Sequence, residues 1–469
     1  MSWEKKNSSI AVLFSLAVIL LHVLAFPNYI MSLPVMMIGI AIILFFYFSL
    51  SFYINKWQLE PDISYKLFVH SLVYRSIAVI GMYLLTYYYD PASLPMEMGA
   101  SDAWNYHASG ELVAKTIYEG GNIFDALSNF WRSENDYGFS IYIGLIYSIF
   151  GPYVTIIKLI NGIWGSLTVV RLYQISKMIY DDRAARLTGI LAMIFPTLLW
   201  FSTMLLKETL LIFLIVNIAY YLVKITSAPD KWYKYSALLI LFFIPIYFFR
   251  IFLVPLIIIC VILHLFFYRT KLTKNKLLIG TAFIGILFAC IFVITRLKMQ
   301  ESLMVLVDSS TTNFDAELSN SALQRGISYK QALVAPFILM GAIITPLPSL
   351  IHFNEEQVGI YAHFQNEIIR NVMYFYVFIG IYIFFKQKIR RATYVVSFAF
   401  GYVLILALSG VSFQDRYQVL TLPFLLILMS NGILIEYRKK NRQWQIYLFF
   451  IAIAIISWNL FKLSIRELI

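Results

Sequence analysis

The sequence predicts an all-α, polytopic integral membrane protein with about thirteen transmembrane helices, and three observations carry that prediction. Hydrophobic residues make up 60% of the chain and charged residues only 13%, with a mean hydropathy of +0.75, well outside the range of soluble domains. Long blocks such as SSIAVLFSLAVILLHVLAF, SLPVMMIGIAIILFFYFSL and IFLVPLIIICVILHLFFY carry almost no charge and reach the roughly 20 residues that a bilayer crossing requires. One polar segment, from Tyr89 to Tyr137, interrupts the apolar blocks early in the chain.

The net charge of +12 is spread over short loops, as the positive-inside rule produces, and is no nucleic-acid signature. With the N-terminus inside, the basic stretches Lys56 to Lys66, Lys177 to Arg186, Lys224 to Lys234, RTKLTKNK, KQKIRR and RKKNR all fall on the cytoplasmic side. The long polar segment is then outside. Spans follow at 8–27, 33–54, 66–88, 152–178, 187–204, 208–224, 234–249, 251–268, 277–295, 367–385, 394–411, 417–436 and 444–462. The first block follows Lys5 and Lys6 but has no small-residue cleavage site, so it reads as a retained helix in one polytopic unit, 1–469.

Two apolar stretches do not cross in this scheme. FSIYIGLIYSIFG (139–151) is too short and ends at Gly151-Pro152, which suits a helix lying in the outer interface and completes an outer loop at 89–151. The stretch 331–351, with Pro336, Pro346 and Pro348, suits a broken or re-entrant element within a second outer region, 297–366.

Cations at the outer face break the positive-inside rule and so need another reason to be there. They are Lys207, Arg250, Arg296, Lys298, Arg325, Arg370 and Arg416. One reason is pairing with nearby acids such as Glu208 and Asp415. The other is a membrane-bound phosphate or pyrophosphate, which guanidinium groups grip through paired donors. Within the outer loop, Gly99 and Ser101 lead to Asp102, which can cap a helix running to Gly120-Gly121. A carboxylate there is equally placed to act as general base toward an acceptor hydroxyl or amine, with Glu97 and His107 near enough to tune it. Cys260 and Cys290 lie in apolar blocks, and there is no P-loop, GxGxxG, HExxH or Cys/His cluster. No metal, cofactor or nucleic-acid partner is therefore expected, and Asp181-Asp182 reads as a solvated pair beside Arg183.

The run from SDAWNYHASGELVAK through KLINGIWGSLTVVRLYQISKMIYDDRAARLTGILAMIFPTLLWFSTMLLKETLLIFL resembles the amino-terminal core of the GT-C glycosyltransferases, in particular bacterial members related to protein O-mannosyltransferases and aminoarabinose transferases. The parts come in the same order: a D-A-x-x-Y element, an interfacial helix ending in F-G-P, a long span, a basic turn, P-T-L-L-W, and K-E opening the next span. RYQVLTLPFLLIL, from Arg416, is similar to that family's late R-Y element. The resemblance implies an inverting transferase in the bacterial cytoplasmic membrane, with its active site on the periplasmic side. It implies a polyprenyl-phosphate sugar as donor, a glycan, lipid or protein as acceptor, and surrounding membrane lipids as partners. Asp102 is the implied base, with Glu208, Glu97 and His107 as further candidates; Arg250, Arg296, Arg416, Lys207, Tyr106 and Tyr417 are candidates for substrate binding. Many relatives carry paired acids before the alanine, where this chain has Ser101-Asp102, and two extra spans precede the outer loop. An O-antigen-type polymerase or ligase working on lipid pyrophosphates is the alternative, and a lipid-oligosaccharide flippase a more distant one.

Overall fold

The computed structural model describes residues 5–29, 31–97, 102–131, 134–268, 347–351, 363–408, 415–436 and 442–465. Apart from a lone bridge residue, Ile351, the described elements are all helical. The chain divides into two compact units. The first takes in 1–59, 289–389 and 395–469, and the second 60–288 and 390–394.

The first unit contains α1 (Lys5–Ala25), α2 (Leu33–Lys56), α14 (Phe364–Gln387), most of α15 (Thr393–Leu408), the one-turn α16 (Asp415–Gln418), α17 (Leu422–Glu436) and α18 (Arg442–Ile465). Its closest packing is between α14 and α17. A Cβ at Gly380 would stand 2.1 Å from the Leu428 carbonyl oxygen, and one at Gly432 would stand 2.0 Å from that of Tyr376. In lipid, where apolar burial does not drive helices together, small residues that allow backbones to touch supply the contact.

The second unit contains α3 (Ser64–Tyr89), α4 (Asp102–Glu119), α5 (Ile123–Phe130), α6 (Tyr137–Phe150), α7 (Val154–Ile179), α8 (Asp182–Ile194), α9 (Pro196–Ser202), α10 (Glu208–Ser227), α11 (Trp232–Phe243), α12 (Ile246–Phe249) and α13 (Leu253–Phe267). α10 forms its core: nearly every residue from Glu208 to Thr226 is buried. α8 is likewise buried from Leu187 to Ile194. α4 and α6 press together through reciprocal glycines. A Cβ at Gly110 would lie 2.3 Å from Ile143 Cγ2, and one at Gly144 2.3 Å from Val113 Cγ1.

Eight described helices are long and apolar enough to cross a membrane, and the bent pair α8–α9 makes a ninth if it counts as one span. The chain is a multi-pass membrane protein. The continuous span expected at 187–204 is corrected: it breaks between Ile194 and Pro196 with a 49° bend. Pro196 offers no amide hydrogen and disfavours helical backbone at Phe195, which sits extended at φ −64°, ψ 117°. α6, with 14 residues, is about 21 Å long, short of a crossing, and ends at Gly151 in the left-handed region at φ 81° before Pro152. The span expected at 277–295 and nearly all of the re-entrant stretch 331–351 lie outside the described residues.

Candidate active site

The second unit brings a cluster of charged side chains together near the first turns of α4 and α10. Asp102 is the first residue of α4 rather than its cap. Its carboxylate sits at the positive end of the helix dipole, where a negative charge is stabilised, and it is half-buried. One turn on, and on the same face, stands Tyr106. The Tyr106 ring is buried against Phe139 and Trp131, and its hydroxyl donates to Asp136 Oδ1 at 2.5 Å.

Asp136 is the centre of this arrangement. It closes the short turn Glu134–Asp136 ahead of α6, and the same Oδ1 receives the Lys207 ammonium at 2.5 Å. Lys207 also donates to Asn135 O at 3.0 Å, and Tyr106 turns its ring toward the ammonium. Burial lowers Lys207 to about 8; Asp136 opposes the fall, Arg250 adds to it, and Glu208 also opposes it. That both Arg250 and Glu208 act on Lys207 puts the four groups within one electrostatic neighbourhood.

Glu208, fully buried at the first position of α10, accepts from Arg250 Nη2 at 2.7 Å. Arg250 reaches it because the chain turns extended there, between α12 and α13. Asn135 Oδ1 fixes that turn by accepting from the Ile251 amide at 3.0 Å, and Glu134 accepts from the Tyr247 hydroxyl at 3.3 Å. The three residues Glu134, Asn135 and Asp136 thus tie α4, α10 and the α12–α13 turn together.

The remaining candidates have other surroundings. Glu97 is buried and paired with Lys158 of α7 at 3.0 Å, and it accepts from the Leu205 amide at 3.3 Å. His107 is about 100° around α4 from Tyr106. It shares a 2.8 Å hydrogen bond with the Tyr147 hydroxyl of α6 and lies 3.5 Å from Glu111. Burial pushes the Tyr147 phenol up, so it meets His107 as a neutral hydroxyl. Arg416 and Tyr417 sit on α16 of the first unit, half-buried. There Arg370 pairs with Asp415 at 2.7 Å and donates to Gln418 at 3.2 Å. Arg296, Lys298 and Arg325 lie outside the described residues. No group of three or more metal-ligating side chains occurs among the described residues.

Asp136 is the residue that sequence reasoning missed. Its signal was two acids flanking an amide, Glu134-Asn135-Asp136, immediately before an apolar helix, which reads locally as helix capping.

Residues 138–294, about a third of the chain, match the dolichyl-phosphate-mannose-protein mannosyltransferase family. The matched stretch contains Lys207, Glu208 and Arg250, while Asp102 precedes it. The match bears out the class expected from the sequence, a GT-C membrane glycosyltransferase. Among individual proteins, no curated one matches the chain significantly. Among solved structures, an archaeal oligosaccharyltransferase, AglB from Archaeoglobus fulgidus in complex with an inhibitory peptide and a dolichol-phosphate, is similar at 12% identity and a TM-score of 0.46. The alignment covers 86% of this chain and 56% of that one, so the chain spans little more than half that length, and the likeness is too slight to carry a function across.

Proposed function

We propose that this protein transfers a sugar from a polyprenyl-phosphate-linked donor to an acceptor hydroxyl or amine at the outer face of a bacterial cytoplasmic membrane, with inversion at the anomeric carbon. The observation that carries the reading is the assembly of two buried cations, Lys207 and Arg250, with Asp136 and Glu208, one helical turn from Asp102 by way of Tyr106.

A glycosyl phosphate already has an anionic leaving group, so the protein has two tasks: to remove a proton from the acceptor and to accommodate charge on the departing phosphate. Asp102 takes the acceptor proton as the acceptor oxygen or nitrogen bonds to the anomeric carbon. The bond from that carbon to the phosphate oxygen breaks, and the electron pair leaves with the phosphate. A single displacement of this kind inverts the configuration. Lys207 is suited to the leaving group because an ammonium has three donors, two of which are engaged by Asn135 and Asp136. Its third N–H is available to a phosphate oxygen. Asp136 and Glu208 keep the two cations fixed and charged in a buried setting, so little reorganisation accompanies the reaction.

The matched family's name points to a phosphate-linked mannose donor for its own members, and a polyprenyl-phosphate sugar is the corresponding choice here. The test is purified protein in lipid nanodiscs offered polyprenyl-phosphate sugars and polyprenyl-pyrophosphate glycans in parallel, with hydrolysis or transfer followed by mass spectrometry. Turnover of the monophosphate donors is expected. Turnover of pyrophosphate-linked glycans alone, unaffected by Asp102→Asn, would replace this reading with the polymerase or ligase one.

A further inference from the structure

A second polar centre of the second unit is built around Arg75 rather than around Lys207, Arg250, Asp136 and Glu208. Arg75 stands near the middle of α3 and is 2% exposed. Its guanidinium makes one long hydrogen bond, from Nη2 to the Gly165 carbonyl of α7 at 3.4 Å. Nε and Nη1 have no protein partner, and no carboxylate among the described residues pairs with it. The packing of α3 on α7 is shaped to admit this side chain: a Cβ at Gly165 would lie 2.4 Å from Arg75 Nε. Only glycine leaves the slot open.

Beside the guanidinium is a small cavity, lined by Arg75 with Gly165 and Thr168 of α7, Leu198 and Phe201 of α9, and Thr209 of α10. It leaves about 10 Å³ for the centre of a water-sized particle, enough for one. Both threonine hydroxyls are committed, Thr168 to Trp164 O at 2.8 Å and Thr209 to Phe201 O at 2.9 Å, and the other side chains that form the wall are apolar.

An arginine does not relieve burial by giving up its proton, and an isolated charge in an apolar interior is costly unless an opposite charge stands beside it. A water would satisfy hydrogen bonds but leave the charge unbalanced. We propose that the cavity beside Arg75 binds a monatomic anion of the chloride class, held by the guanidinium N–H groups in the slot opened by Gly165. Polyatomic anions such as sulfate exceed the space. Because Thr209 follows Glu208 and hydrogen-bonds α10 to α9, an ion here also braces the loop that carries Lys207.

The test is thermal unfolding of the purified full-length protein in sodium gluconate, titrated with sodium chloride, bromide or sulfate at constant ionic strength, with Arg75→Met in parallel. Chloride and bromide are expected to raise Tm saturably by about 3 °C, sulfate not at all, and Arg75→Met to lose the halide response. Equal Tm in gluconate and chloride, or a halide response retained in Arg75→Met, overturns the proposal. If Arg75→Met does not accumulate, bromide-soaked crystals of the unaltered protein decide the matter. An anomalous peak within hydrogen-bond distance of Nε or Nη1 upholds the site, and density for water alone overturns it.

Discussion

Asp136→Asn removes the charge that holds Lys207, while keeping an oxygen that can accept from Tyr106 and Lys207. Losing one partner of a buried ion pair costs about 3–5 kcal/mol when the other charge is trapped. Lys207 is not trapped, because burial already brings it down to about 8. Without Asp136, which holds it up, it falls further and sheds its proton at neutral pH. The cost of that release at pH 7, one unit below the starting value, is about 1.4 kcal/mol. With a weakened hydrogen bond from Tyr106 the total comes to about 2 kcal/mol. In the variant, folded Lys207 titrates further below its unfolded value, so the variant's stability rises with pH between 6 and 7, while that of the parent is nearly flat there because both its states are protonated; nearer pH 8 the parent's folded Lys207 begins to lose its proton and its stability rises as well. The gap is therefore about 1.4 kcal/mol larger at pH 6 than at pH 7. By differential scanning fluorimetry in nanodiscs, Tm should drop by about 2–4 °C at pH 7 and by more at pH 6. A drop that is absent, or equal at pH 6 and pH 8, would refute the role given to Asp136.

Three further outcomes follow from the same geometry. Donor binding should weaken as pH rises through about 8, where the Lys207 ammonium is lost, and Lys207→Arg should remove that dependence; an unchanged pH profile in Lys207→Arg would separate Lys207 from the donor phosphate. Glu97→Leu or Lys158→Met alone should each cost about 3–5 kcal/mol because a buried charge is stranded, and the double variant should recover most of it in Tm; additive losses would mean that the pair is not coupled. His107→Phe should keep transfer activity within about threefold while lowering Tm, since His107 links α4 to Tyr147 rather than facing Asp136; a loss of about a hundredfold or more would restore it as a catalytic candidate.

The helices were largely legible in the sequence because a membrane-spanning helix must be apolar along its whole length, so its signal is local. The end of α4 at Gly120-Gly121 and that of α6 at Gly151-Pro152 were legible for a similar reason, since both depend on neighbouring residues alone. The break at Pro196 was missed inside the continuous span expected at 187–204, although the proline itself was visible. The acidic partners were another matter. Glu208 was suspected of pairing with a cation, but its partner Arg250 lies 42 residues away, and Lys207 pairs with an acid 71 residues before it. Such separations leave no periodic mark. Arg75 carried a signal that went unused: a cation in the middle of the apolar stretch 66–88 is rare enough in lipid to invite the question of its partner.

Asp102 as general base beside a phosphate site built from Lys207 and Arg250 is tested most directly by the transfer rate and donor affinity of Asp102→Asn, measured together on the same nanodisc preparation with a polyprenyl-phosphate sugar. The expected rate is lower by about 10²- to 10⁴-fold, with donor affinity unchanged within about twofold. Transfer at the parental rate, or a loss of donor binding that accounts for the whole loss of rate, would contradict that role for Asp102.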